Sequence, residues 1–111
     1  MGLQIFGTRK SGDTRKAERF FKERGVRFQF IDLAEKGISP GELRSVAQAV
    51  GREALMDKSS PRYEALGLAH MDHDPEEEIL KDPLLLRMPI VRDGARAAVG
   101  PDPAAWSTFI R

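Results

Sequence analysis

Cysteine is absent from this chain of 111 residues. That excludes disulfides, thiolate metal ligands and direct thiol catalysis. Long apolar runs are missing as well. The longest extend over a few residues, far below the ~20 that a membrane helix needs, and no apolar stretch of the secretory kind follows the first residues. The expected compartment is therefore the cytoplasm, and no membrane partner is expected. A surplus of either charge is also lacking, with 18 Lys and Arg against 17 Asp and Glu. Such balance gives no general attraction to nucleic acid or to a lipid surface. Repeats, linkers and low-complexity stretches do not occur. What remains, 41% hydrophobic and 32% charged residues, is the composition of an ordinary folded domain. The length suits one core, so residues 1–111 read as a single domain.

The elements follow from periodicity and punctuation. Leu3 to Gly7 is a short apolar run that reads as a buried strand. After the loop Thr8–Asp13, the positions Ala17, Phe20, Phe21 and Arg24 fall at helical spacing, with Asp13 or Ser11 as N-cap and Gly25 as the terminating glycine. Val26, Phe28 and Phe30 then alternate with Arg27 and Gln29, a strand pattern. A strand, a crossover helix and a second strand predict a parallel pair with right-handed connection. Ser39-Pro40-Gly41-Glu42 is a capping box with proline in the first turn. It opens a helix on which Leu43, Val46, Ala47 and Val50 share a face until Gly51. Residues 52–81 read as helix in short pieces, opened by Ser60-Pro61 and by Asp74-Pro75, the latter with Glu76, Glu77 and Glu78 where the helix dipole favours acids. Two strands, Pro89–Arg92 and Ala95–Val99, flank the turn signal Asp93-Gly94. Asp102-Pro103 starts a last helix carrying Trp106, Phe109 and Ile110. The sum is an α/β domain, a four-stranded mixed sheet made of a βαβ unit and a β-hairpin, with a helical insert at about residues 39–82. That is the thioredoxin-like architecture.

Three stretches resemble the arsenate reductase (ArsC)/Spx family, in the family's order and spacing. Ile5 to Ala17 is similar to its first strand, reactive loop and helix start, with Ser11 at the position of the first cysteine. Leu55-Met56-Asp57-Lys58, followed by Tyr63 to Leu68, looks like its central helical insert. Pro83 to Val91 resembles the segment whose proline is cis and faces the active site, here Pro89. The departures carry as much information. A serine hydroxyl cannot form or exchange a disulfide, and it is a nucleophile only with a base beside it; the only histidines, His70 and His73, lie in the insert. The arginines with which the family's arsenate reductases hold the oxyanion are replaced at the matching positions by Met88, Asp57, and Val99 or Gly100. Arg9, Arg87 and Arg96 are candidate substitutes.

Four features compete between function and plain structure. Thr8, Arg9, Lys10, Ser11, Gly12 and Arg15 form a candidate pocket for a small anion or glutathione at a helix N-terminus; the same polar residues serve equally as caps. Arg87 and Pro89 complete that site by resemblance, with backbone docking as one role for Pro89 and loop shaping as the other. His70, Asp72, His73 and Asp74 have the composition of a metal cluster but read as a polar loop ending in a helix start, and no metal or cofactor is expected. The cations from Arg9 to Arg24 are interleaved with Glu18 and Glu23, a solvated helix face rather than a nucleic-acid surface. The expected function is a binding or regulatory module without the redox cysteine. Spx-type relatives act by binding RNA polymerase, so the resemblance implies a protein partner. The alternative is a glutathione-dependent thiol oxidoreductase of arsenate-reductase type in which Ser11 stands for a natural cysteine.

Overall fold

A computed structural model describes residues 2–110. The strands are β1 (Leu3–Gly7), β2 (Phe28–Asp32), β3 (Ile90–Asp93) and β4 (Arg96–Val99). The helices are α1 (Gly12–Glu23), α2 (Pro40–Val50), α3 (Pro61–Ala65), α4 (Pro75–Lys81) and α5 (Pro103–Ser107), with single 3-10 turns at Arg52–Ala54, Leu68–His70 and Pro83–Leu85. The sheet order is β2-β1-β3-β4. β1 and β2 are parallel, while β1–β3 and β3–β4 are antiparallel. This is the thioredoxin-like α/β fold.

Side-chain alternation on the strands divides the core in two. Leu3, Ile5, Val91 and Ala98 face α1 and α5, where Ala17, Phe21, Trp106 and Phe109 close over them. Phe6, Ile31 and Ile90 face the other way, against Leu43, Val46 and Ala47 of α2 and the insert residues Leu55, Tyr63, Ile79 and Leu85. The terminal helix is anchored by aromatic contacts, Trp106 lying 5.4 Å from Phe20 and 6.4 Å from Phe21 between ring centres.

Local chemistry sets the boundaries. α1 is capped by Ser11, whose hydroxyl accepts the Thr14 N–H at 3.2 Å, so Ser11 and not Asp13 is the cap. α1 ends in a Schellman arrangement: Gly25 has φ +69° and gives its N–H to Lys22, and the Val26 N–H goes to the Phe21 carbonyl. That bond removes Val26 from the strand expected to begin there, and β2 starts at Phe28. The capping box of α2 is complete, with Ser39 and Glu42 bonded reciprocally at 3.2 and 3.0 Å. The hairpin turn lies one residue beyond the expected Asp93-Gly94. Asp93 pairs with Arg96, so the loop is Gly94-Ala95. Of the two loop residues Gly94 alone has positive φ, at +63°, as in a turn that takes glycine at its first central position.

Candidate functional site

β1 delivers the chain to the site at Gly7. A Cβ there would come within 2.3 Å of Thr14 Oγ1, so glycine lets the first turn of α1 lie directly on the end of β1. The connecting loop tightens through the Ser11 N–H, which donates to the Thr8 carbonyl at 3.2 Å. The Arg15 guanidinium turns back and donates to the Arg9 carbonyl at 2.6 Å. Arg9 lies over the Phe30 ring, 4.7 Å from its centre. Facing the loop, the Thr8 hydroxyl donates to the Met88 sulfur at 3.8 Å.

The opposite wall is held by a two-stranded patch outside the sheet. Met56 bridges Leu86, the Arg87 N–H donates to the Leu55 carbonyl at 2.8 Å, and the Asp57 N–H donates to the Leu85 carbonyl at 3.0 Å. The Met88–Pro89 peptide is cis. The Pro89 carbonyl accepts the Gly100 N–H at 2.9 Å, and the Arg87 side chain passes over Gly100, where a Cβ would lie 3.3 Å from its Cδ. The Asp57 carboxylate accepts from the Ser59 N–H and hydroxyl at 3.1 and 2.6 Å.

Between loop and insert lies an open cleft of about 570 Å³, walled by Thr8, Arg9, Lys10, Asp32, Arg62 and Met88 among others. Thr8, Arg9 and Lys10 are thus brought together, whereas Ser11, Gly12, Arg15, Arg87 and Pro89 stand behind or beside the cleft and are not among its walls. Arg62 is tied to Asp82. No local motif marks Asp32 or Arg62 as neighbours of the loop; Asp32 reaches it as the last residue of β2, paired with Gly7, and Arg62 from α3, and only the Ser60-Pro61 helix start hinted at the position of the latter. Arg96 lies at the other end of the sheet. It pairs with Asp93, which pairs with the start of β1 at Leu3, and its guanidinium is bound to the Thr108 carbonyl and hydroxyl at 2.7 and 3.0 Å.

The insert histidines belong to a different surface. His73 packs edge-on to Tyr63 at 6.3 Å and its Nδ1 is 3.1 Å from the Met71 carbonyl oxygen. Asp74 caps α4 through the Glu76 N–H at 3.1 Å and pairs with Arg52 at 2.8 Å. The hydrogen bond from Arg52, helped by the N–H groups of Glu76 and Glu77, holds its carboxyl below the usual aspartate range. Among the described residues, two buried polar atoms have no partner, Thr14 Oγ1 and Trp106 Nε1. No helix among them is long and apolar enough to cross a membrane.

A thioredoxin-like sheet, a helix cap where a reactive thiol would stand, and a proline loop facing it define a member of the thioredoxin-like group with a helical insert. Within it the chain belongs to the ArsC family, whose model matches residues 6–109. It is 30% identical over 107 residues to YusI of Bacillus subtilis, covering 90% of this chain and 91% of that protein. It is 27% identical over 106 residues to the global transcriptional regulator Spx 2 of Oceanobacillus iheyensis, covering 90% of this chain and 77% of that one. The arsenate reductase structure from Vibrio cholerae superposes with a TM-score of 0.84 at 23% identity over 99% of this chain and 98% of that one, a likeness of fold.

Proposed function

We propose that this chain is a cytoplasmic binding or regulatory module of the ArsC family that performs no thiol chemistry. The observation that carries the reading is the state of Ser11: its hydroxyl is used as the N-cap of α1, accepting the Thr14 N–H. A hydroxyl cannot replace a thiolate in disulfide exchange, and acyl or phosphoryl transfer would require a base next to it. Of the two histidines that could serve, both in the insert, His73 is engaged with Tyr63 and the Met71 carbonyl. The cleft beside Thr8, Arg9 and Lys10 is the ligand site in this reading, with a small anion or glutathione as the small-molecule candidates and a protein surface as the macromolecular one. Gly12, Arg15, Arg87 and Pro89 act from behind it by shaping the loop. Because the Pro89 carbonyl is bonded to Gly100, backbone docking at this loop falls to Met88, whose N–H and carbonyl have no main-chain partner among the described residues. The relative named as a global transcriptional regulator is the ground for a regulatory role.

The test is an amide NMR titration with glutathione, phosphate and arsenate in turn, run beside a glutathione–disulfide exchange assay. The expected result is shifts clustered at residues 8–15 and 87–91 with no exchange activity. Turnover by the chain as it stands would overturn the reading. Absence of shifts at millimolar ligand would remove the small-molecule part and leave the protein partner.

A further inference from the structure

The outer edge of the sheet carries a second feature, which adjoins the cleft at Arg9. β2 is an edge strand, paired only with β1. The Leu33 N–H donates to the Gly7 carbonyl at 2.8 Å. Because N–H and C=O of one strand residue point to the same side and alternate along the strand, Ile31 and Gln29 also turn theirs toward β1. Phe28 and Phe30 therefore present theirs outward. No main-chain bond to either from outside the sheet occurs among the described residues. The segment has no proline, lysine or bulge of the kind that blunts an edge. Next to it, between β2 and α1, runs an open groove of about 650 Å³. The half-buried rings of Phe28 and Phe30 form its floor, and Arg9, Lys22 and Arg27 line it against a single acid, Glu18.

We propose that this edge accepts an extended acidic segment of a partner polypeptide as a fifth strand. Main-chain bonds to Phe28 and Phe30 supply the pairing, alternate side chains of the segment lie against the Phe28 ring and against Arg9 where it covers the Phe30 ring, and its carboxylates meet Arg9, Lys22 and Arg27. The charge of the groove selects the occupant. A second copy of this chain paired antiparallel at the same edge would be related by a two-fold axis normal to the sheet. Both copies of α1 would then lie on the same face, and the cations of both would meet across the seam, a like-charge contact that disfavours self-pairing.

The test uses the whole chain and two blocked heptapeptides, one alternating Glu and Val, the other Lys and Val, titrated at low salt with amide NMR. With the acidic peptide, the Phe28 and Phe30 amides should move more than those of Gln29 and Ile31, which are engaged with β1. The lysine peptide should bind at least threefold more weakly. Lys22→Glu and Arg27→Glu, both on exposed side chains, should each weaken the acidic peptide at least threefold while leaving the fold intact by circular dichroism. Equal binding of the two peptides, or shifts confined to Thr8–Lys10 and Met88, would overturn the proposal and assign any binding to the cleft instead. Concentration-dependent shifts at Phe28 and Phe30 without peptide, with a dimer mass, would overturn it in favour of a second copy.

Discussion

Gly7→Ala tests how the loop between β1 and α1 is built. The added methyl would lie 2.3 Å from Thr14 Oγ1, 2.6 Å from its Cγ2 and 3.0 Å from its Cβ. Thr14 is fully buried, so it has no free space to turn into, and relief requires the first turn of α1 to lift from β1. Overpacking of this kind costs about 1–3 kcal/mol. For a chain of this size that lowers the unfolding temperature by roughly 5–15 °C. The assay is urea and thermal unfolding followed by the fluorescence of Trp106, the only tryptophan, 2% exposed. The decisive variant is the double Gly7→Ala/Thr14→Ala, which removes the two nearest atoms of the clash and leaves the Cβ contact. It should lose at least ~1 kcal/mol less than the sum of the single variants, since residues in contact couple by about 0.5–3 kcal/mol. Additive losses, or a Gly7→Ala protein that unfolds at the parental temperature, would refute the close approach of strand and helix as the reason for glycine here.

Ser11→Ala should cost about 1 kcal/mol through the lost cap, and Ser11→Asp should keep most of the stability, read by urea midpoints; equal midpoints for all three would refute the cap. Ser11→Cys should carry a thiol titrating below the ordinary ~8.5 because of its place at a helix N-terminus, measured by thiolate absorbance; a value at or above that contradicts the effect. Thr14→Val replaces a buried hydroxyl that has no partner and should stabilise the fold by about 1 kcal/mol, with a loss showing that the hydroxyl is satisfied in solution. Asp74 has its folded carboxyl below the ordinary value of 3.8, so the folded state binds fewer protons than the unfolded one. Its contribution is fully present above that ordinary value and is lost as pH falls through the lower folded value. Asp74→Asn, which keeps a capping side chain, should therefore differ from the parent near neutrality and converge with it in acid; a gap that widens in acid would contradict the sign.

Elements with chemical punctuation were legible in the sequence. Ser39-Pro40-Gly41-Glu42, Ser60-Pro61, Asp74-Pro75 and Asp102-Pro103 each open a helix where the pattern places it, because capping is a bond between neighbours in the chain. The misplaced ends were those decided by bonds of competing kinds. Val26 alternates correctly for a strand, yet its N–H closes α1. Asp93-Gly94 is a good turn pair, but the ladder extends through Asp93 to Arg96. Phe28 and Phe30 look like core residues and are half-buried, since periodicity shows which face a side chain takes but not whether the strand is central or at an edge. The cleft was the least legible part. Thr8, Arg9 and Lys10 are contiguous and could be read together, whereas Asp32 arrives through its pairing with Gly7 at the end of β2 and Arg62 from α3, whose placement depends on the packing of the insert around Leu55, Met56 and Leu86.

A single side chain separates two uses of one site. The N-terminus of α1 offers free N–H groups and the positive end of the helix dipole, which favour either a thiolate or an oxygen cap. A thiolate there is reactive because the helix stabilises its charge while leaving the sulfur accessible. An oxygen cap takes up one of those N–H groups itself and so spends it on stability, as Ser11 does with Thr14. Anion binding at this helix end then draws more on the side chains around it. Of those, Arg15 is turned to the Arg9 carbonyl, Arg9 to the Phe30 ring and Arg87 to Gly100, which leaves Lys10 as the loop cation on the cleft wall with no described hydrogen bond, ion pair or ring contact. Lys10→Ala should accordingly weaken any anion seen in the titration more than Arg15→Ala does, and the reverse order would mean that the helix end, not the cleft, is where the anion sits.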